Sequence, residues 1–226
     1  MITKKILVAI PIINERKNIC FLLRQILQNI QDCDVLYIDD ASNDGSQRLI
    51  KKLNYKLNNI FLIERDKRLG IGSAHKTAIN WAYDKKYEFF FTIDGDCTHD
   101  PKYIVEIIKM LETKNIDIVN TTRFIEKNSL MGWNTLRINL TSFRFKLVSF
   151  LLNTKLDSSS GFRGYNLNKI KKEDLLISKN NSYFFLIESL FLLEKRNYKI
   201  CEISNKFNFD TPAFLAFNLL LISHIL

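Results

Sequence analysis

The chain has 226 residues, 46% hydrophobic and 25% charged, a balance that excludes wholesale disorder and fits one large domain or at most two small ones. Thirty-three Lys and Arg against 24 Asp and Glu give a net charge of +9. That excess favours an anionic partner, whether nucleic acid, acidic membrane or phosphorylated substrate, unless the lysines merely cover solvated faces.

Met1-Ile2-Thr3-Lys4-Lys5 runs straight into an apolar segment too short for a signal peptide and its cleavage site, so a cytoplasmic start is expected. Ile6-Leu7-Val8-Ala9-Ile10, closed by Pro11, is predicted as a strand buried on both faces. Ile19, Leu22, Leu23, Ile26, Leu27 and Ile30 form one stripe of an amphipathic helix. Residues 35–38 repeat the strand signal and end in Asp39-Asp40, and residues 46–57 read as a second helix. A third strand at 60–63, a third helix at 73–84 and a fourth strand at 88–93 follow. Pro101 suits the first turn of a fourth helix bearing Ile104, Ile107, Ile108 and Leu111, and residues 116–120 make a fifth strand.

After Arg123 the pattern changes. Residues 130–152 are rich in Leu, Ile, Phe and Val yet carry Arg137, Arg144 and Lys146, as expected of helices lying on a membrane or of ordinary amphipathic packing. Residues 157–165 return to loop and strand, 184–196 form a helix containing Glu188, and 200–203 are a last short strand. Residues 213–226 are apolar apart from Asn218, Ser223 and His224, but are fewer than the roughly 20 needed to span a bilayer. Interfacial attachment, a packed terminal helix or a truncated membrane segment all fit that tail. Without a repeat or a Pro/Gly linker, one domain over residues 1–212 followed by the tail is the economical division.

Strands alternating with helices over short connections imply an α/β fold with a mostly parallel sheet flanked by helices. Ligands of such sheets bind at the carboxyl ends of strands. Asn14-Glu15, Asp39-Asp40, Asp94-Gly95-Asp96 and Thr122-Arg123 all fall there. Asp94 and Asp96 form either a surface turn or a pair of hard oxygen ligands for Mg²⁺ or Mn²⁺, an ion that commonly holds substrate phosphates too. Gly70-Ile-Gly72 lacks the third glycine of a dinucleotide fingerprint and reads as a tight turn beside a ligand. His75 and His99 could be metal ligands or bases, with a surface or structural role favoured. Cys20, Cys33, Cys97 and Cys201 are widely spaced, which suggests neither a zinc site nor a disulfide framework. No RNA-binding signature accompanies the positive charge, so no nucleic-acid partner is expected.

Pro11-Ile-Ile-Asn14-Glu15, Ile38-Asp39-Asp40-Ala-Ser-Asn-Asp44-Gly45-Ser, Gly70-Ile-Gly72-Ser-Ala, Ile93-Asp94-Gly95-Asp96-Cys-Thr-His99-Asp-Pro101 and Asp117-Ile-Val-Asn-Thr-Thr-Arg123 occur in order. The series resembles the inverting GT-A glycosyltransferases of family 2, in particular the dolichyl-phosphate and polyprenyl-phosphate mannose and glucose synthases, over about residues 5–205. The resemblance implies a Rossmann-like GT-A fold with amphipathic helices after residue 129, and an interfacial segment at 130–154. Pro11, Asn14, Glu15, Asp40 and Gly70 would line the nucleotide-sugar pocket, and Gly95 would leave room for the donor. Asp94 and Asp96 would hold Mg²⁺ or Mn²⁺ on the diphosphate, and Arg123 would contact a phosphate. Asp157, Arg163 and Glu188 would lie near the acceptor. Asn205-Lys206-Phe-Asn-Phe-Asp210 stands where the family has Arg and a Gly-Ser-Lys-like stretch, so a phosphate clamp is lost there or supplied by Lys206.

The activity so implied is transfer of a hexose from a GDP-mannose or UDP-glucose type donor to a polyprenyl or dolichyl phosphate, by an enzyme peripheral to the cytoplasmic face of the membrane, with room for a membrane-protein partner. The alternatives are a family 2 enzyme acting on a glycan hydroxyl in envelope polysaccharide synthesis, or a non-catalytic sugar-nucleotide-binding membrane scaffold.

Overall fold

The computed structural model describes residues 5–125 and 135–204. The first half repeats strand and helix: β1 (Ile6–Ile12), α1 (Arg16–Asn29), β2 (Asp34–Asp39), α2 (Ser46–Lys56), β3 (Ile60–Glu64), α3 (Ile71–Asp84), β4 (Phe89–Thr92), α4 (Tyr103–Thr113) and β5 (Ile118–Thr122). The second half adds α5 (Thr135–Leu152), β6 (Arg163–Asn166), α6 (Lys172–Leu175), α7 (Phe184–Lys195) and β7 (Ile200–Ser204). The seven strands form one sheet in the order β3-β2-β1-β4-β6-β5-β7.

Successive strand residues point to opposite faces, and the core divides accordingly. Val8, Ile10, Val35, Tyr37 and Phe91 meet Ile19, Leu22 and Ile26 of α1, Ile50 and Leu53 of α2, and Ile104, Ile107 and Leu111 of α4. Leu7, Ala9, Leu36, Ile38 and Phe90 face the other way, onto Ala74, Ala78 and Ala82 of α3, Leu175 of α6, and Phe185 and Leu190 of α7. Both faces of the sheet are therefore dry, which is why the strands read as continuous apolar runs.

Several boundaries differ from the periodicity by a residue or more, and two have a clear physical cause. α4 begins at Tyr103, with Pro101 in the preceding turn, where its carbonyl accepts the Ile104 N–H at 3.0 Å. β5 runs to Thr122, because Asn120, Thr121 and Thr122 are buried by side-chain hydrogen bonds that polarity alone does not announce. The larger difference is topological: β6 inserts between β4 and β5 and is antiparallel to both, pairing Thr92 with Arg163 and Asn120 with Arg163. The loop leading into β6 is thereby brought to the same edge as the carboxyl ends of β4 and β5. Among the described residues no helix is long and apolar enough to cross a membrane. The 213–226 tail, Lys206 and residues 126–134 lie outside the described residues.

Candidate active site

Asp94 leaves the end of β4 half-buried, its side chain 26% exposed, and its Oδ2 lies 3.0 Å from Nε2 of His99. Burial alone would raise this carboxyl, but the His99 hydrogen bond and the nearby His75 and Arg123 outweigh it and hold it below the usual carboxylate range. An ionised Asp94 accepts, so His99 Nε2 carries the proton. Asp96 is exposed and uses Oδ1 to accept from the Thr98 N–H at 3.0 Å and the Thr98 hydroxyl at 2.8 Å. Each carboxylate thus spends one oxygen on the protein.

Glu15, at the start of α1, accepts from Asn18 Nδ2 at 2.6 Å, and burial followed by repulsion from Asp96 and Asp44 raises its carboxyl. Glu15 thus feels the charge of Asp96, and Asp94 that of Arg123. Asn14 stands beside them in the left-handed region, φ 57°, with its Oδ1 accepting the Asn43 N–H at 2.9 Å. Arg123 Nε lies 4.0 Å from Asp157 Oδ2. Asp157, 1% exposed, also accepts from the Thr122 hydroxyl at 3.1 Å and the Ser159 hydroxyl at 2.7 Å.

Other expected site residues are committed to the protein. Arg163 is fully buried: it donates to Asn120 Oδ1, Ser189 Oγ and the carbonyls of Ser158 and Leu186, at 2.8 to 3.3 Å. From its place in β6, between two strands, it holds the 157–162 loop. Asp40 accepts from Arg65 at 3.1 Å and from the N–H groups of Leu69 and Gly70 at 2.9 Å, so it anchors the loop into α3. Gly70 adopts φ 88° with its Cα against the Asn181 carbonyl, and Asn181 O also accepts the Gly72 N–H at 2.9 Å. The turn therefore sits against residues 180–185.

Gly95 makes room for β1: a Cβ there would lie 2.8 Å from Ile12 Cγ2 and 3.3 Å from the Pro11 carbonyl. Glu188 accepts from Ser178 at 2.5 Å and Asn180 Nδ2 at 2.6 Å, hydrogen bonds that lower its carboxyl and bind it to the loop before α7.

Three residues gain a role the sequence did not disclose. His99, 3% exposed, braces Asp94 and packs edge-on against Phe162. Gly161, within the quoted Asp157–Arg163 segment, lies directly on the Asp94 carboxylate. Glu202 on β7 accepts the Asp157 N–H and Asn120 Nδ2, both at 2.7 Å. Nothing in the sequence around Glu202 signals this, because the pairing depends on β7 lying beside β5. His75 is 3% exposed and stacks on Phe185, and burial pushes it down to about 4, so it is neutral at pH 7.

Among the described residues no group of three His, Cys, Asp or Glu side chains is placed to hold a metal. Two hard carboxylates at an edge fit a divalent ion whose remaining ligands are diphosphate oxygens and water, the usual composition of such sites.

A polyprenol monophosphomannose synthase of Mycolicibacterium smegmatis is 23% identical over 203 residues, covering 89% of this chain and 76% of the relative. An undecaprenyl-phosphate mannosyltransferase of Micrococcus luteus is 23% identical over 201 residues, covering 88% and 82%. Glucosyl-3-phosphoglycerate synthase from Mycobacterium tuberculosis, solved with Mn²⁺, UDP-glucose and phosphoglyceric acid, superposes with a TM-score of 0.64 at 16% identity, over 99% of this chain and 79% of that one. A mannosyltransferase from Pyrobaculum calidifontis, solved with GDP-Man and Mn²⁺, gives 0.62 at 14% identity, over 94% and 59%. These structures share the GT-A-like α/β fold. The glycosyl transferase family 2 model matches residues 7–173, from β1 into α6 and through Asp94, Asp96 and Arg123, and the chain belongs to that family.

Proposed function

We propose that the enzyme moves a hexose, with inversion, from a GDP-mannose or UDP-glucose type donor to a polyprenyl phosphate at the cytoplasmic face of the membrane. The observation that carries this reading is the gathering of Asp94, Asp96 and Arg123 at one edge of the sheet, in a family whose two relatives above are named for polyprenyl-phosphate mannosyl transfer. Asp94 and Asp96 would hold Mg²⁺ or Mn²⁺, which when bound neutralises charge on the leaving diphosphate. Arg123, steadied by Asp157, adds a guanidinium to the same phosphates. A phosphate oxygen of the acceptor attacks the anomeric carbon as the bond to the diphosphate breaks, and the electron pair leaves with the nucleoside diphosphate.

An anionic phosphate needs no general base, whereas a glycan hydroxyl wants one. The two carboxylates best suited to that task are occupied: Asp157 is buried among hydroxyl donors, and hydrogen bonds lower Glu188. This supports the lipid-phosphate acceptor. The membrane assignment is supported by α5, where Phe143, Leu147, Phe150 and Leu151 lie along one helical face, 44–83% exposed, beside exposed Lys146.

The test is incubation of the purified chain with polyprenyl phosphate and labelled GDP-mannose, UDP-glucose or UDP-N-acetylglucosamine, followed by organic extraction. Label from one donor enters the organic phase, and Asp96→Ala abolishes it while retaining the fold. Product confined to the aqueous phase overturns the lipid acceptor, unchanged turnover by Asp96→Ala overturns the metal site, and absence of turnover with every donor favours the scaffold.

A further inference from the structure

The Asp94 carboxylate is gripped from two sides. His99, its side chain 2% exposed, donates from Nε2 to Oδ2 at 3.0 Å, and its ring stands edge-on to Phe162, 5.6 Å between centroids. On the other side is Gly161, where a Cβ would overlap the carboxylate, with Oδ1 as its nearest atom. Neither side can yield easily. The Gly161 carbonyl accepts the buried Thr92 hydroxyl at 2.8 Å, Phe162 is fully buried, and Arg163 is paired with Thr92 across β4 and β6. The carboxylate is therefore held between His99 of its own loop and the segment that leads into β6.

We propose that His99 and Gly161 are positioning residues that fix the orientation of Asp94 towards a divalent ion, His99 by occupying Oδ2 and Gly161 by letting the carboxylate lie where any side chain at 161 would displace it. This rests on the metal reading above. A donor that orients a ligand carboxylate acts on affinity for the ion, and removing such partners typically costs about tenfold to a hundredfold. The antiparallel insertion of β6 then has a chemical use, since it delivers the one residue without a side chain to the face of Asp94.

The experiment is Mn²⁺ titration of the full chain with UDP, and in parallel with GDP, read by loss of the free-ion EPR signal. His99→Phe keeps a ring against Phe162 and removes the donor, whereas His99→Gln keeps a donor and removes the ring. Positioning predicts that His99→Phe weakens Mn²⁺ binding about tenfold to a hundredfold while His99→Gln stays close to the parent, and that Gly161→Ala resembles His99→Phe, with thermal melts confirming folded protein. A purely structural histidine predicts the reverse order, and that result, or equal affinity in the two His99 variants, overturns the proposal. Asp96→Ala separates the two levels: if the parent and Asp96→Ala bind Mn²⁺ alike, the metal reading itself fails.

Discussion

Glu202 offers the sharpest energetic test, because one carboxylate oxygen holds together three elements. Its Oε1 accepts the Asp157 N–H and Asn120 Nδ2 at 2.7 Å each, joining β7, β5 and the loop that carries Asp157. In Glu202→Ala both donors lose an acceptor, at about 1–3 kcal/mol for each group left unsatisfied. Two groups give about 2–6 kcal/mol, and because Asn120 Nδ2 keeps a second partner, the Asp157 carbonyl at 2.9 Å, the total falls in the lower half of that, about 2–4 kcal/mol. Glu202→Gln preserves an acceptor and should lose less. The two variants also separate through pH. Burial raises the Glu202 carboxyl, an effect that the hydrogen bonds from Asn120 and the Asp157 N–H only partly oppose. Protonated Glu202 is therefore favoured in the folded state, and its stabilising contribution is present at low pH and lost as pH rises through the folded value. Relative to Glu202→Gln, the parent should gain stability as pH is lowered from about 7 to about 5. Urea denaturation at both pH values measures this. Wild-type stability in Glu202→Ala, or a parent advantage that grows with rising pH, would refute the reasoning.

Asp40 carries the opposite sign. Burial would raise it, but the N–H groups of Leu69 and Gly70 and the Arg65 guanidinium outweigh that and hold it low. Its contribution is present above the unfolded value of about 3.9 and lost as pH falls through the folded one, so the stability difference between parent and Asp40→Asn shrinks on acidification from about pH 6 to about pH 3. Urea midpoints across that range check it. Arg163→Met leaves the Ser158 carbonyl and Asn120 Oδ1 without the donor it supplied, while the Leu186 carbonyl keeps the Ser189 hydroxyl, and at about 1–3 kcal/mol for each of the two groups it should cost about 2–6 kcal/mol, read from the denaturation midpoint. Leu147→Asp with Phe150→Asp, both on the exposed face of α5, should cut sedimentation with anionic vesicles while leaving the melting temperature unchanged. Equal vesicle binding would remove α5 as the membrane-facing element.

The first half of the chain was legible because each element follows from spacing. The apolar run before Pro11 is β1, the stripe from Ile19 to Ile26 is the buried face of α1, and Asp94 emerges where β4 ends. The second half was less so. A strand of four residues, Arg-Gly-Tyr-Asn, has too little period to declare its direction, and nothing local tells Arg163 that it will lie between β4 and β5.

What the sequence determined by itself was the family, the α/β class and the carboxylate pair, since these depend on local pattern and on motifs in order. What only the tertiary structure decided was which polar residues face one another. Asp40 and Arg163 are polar groups at the right edge, yet their partners are Leu69, Gly70 and the carbonyls of Ser158 and Leu186. His99 and Gly161 carry little signal of their own, yet both lie on Asp94, because an antiparallel strand brings residue 161 back beside residue 94. Burial demands that every such group find a partner, and the partner is chosen by sheet order, a property of the whole chain.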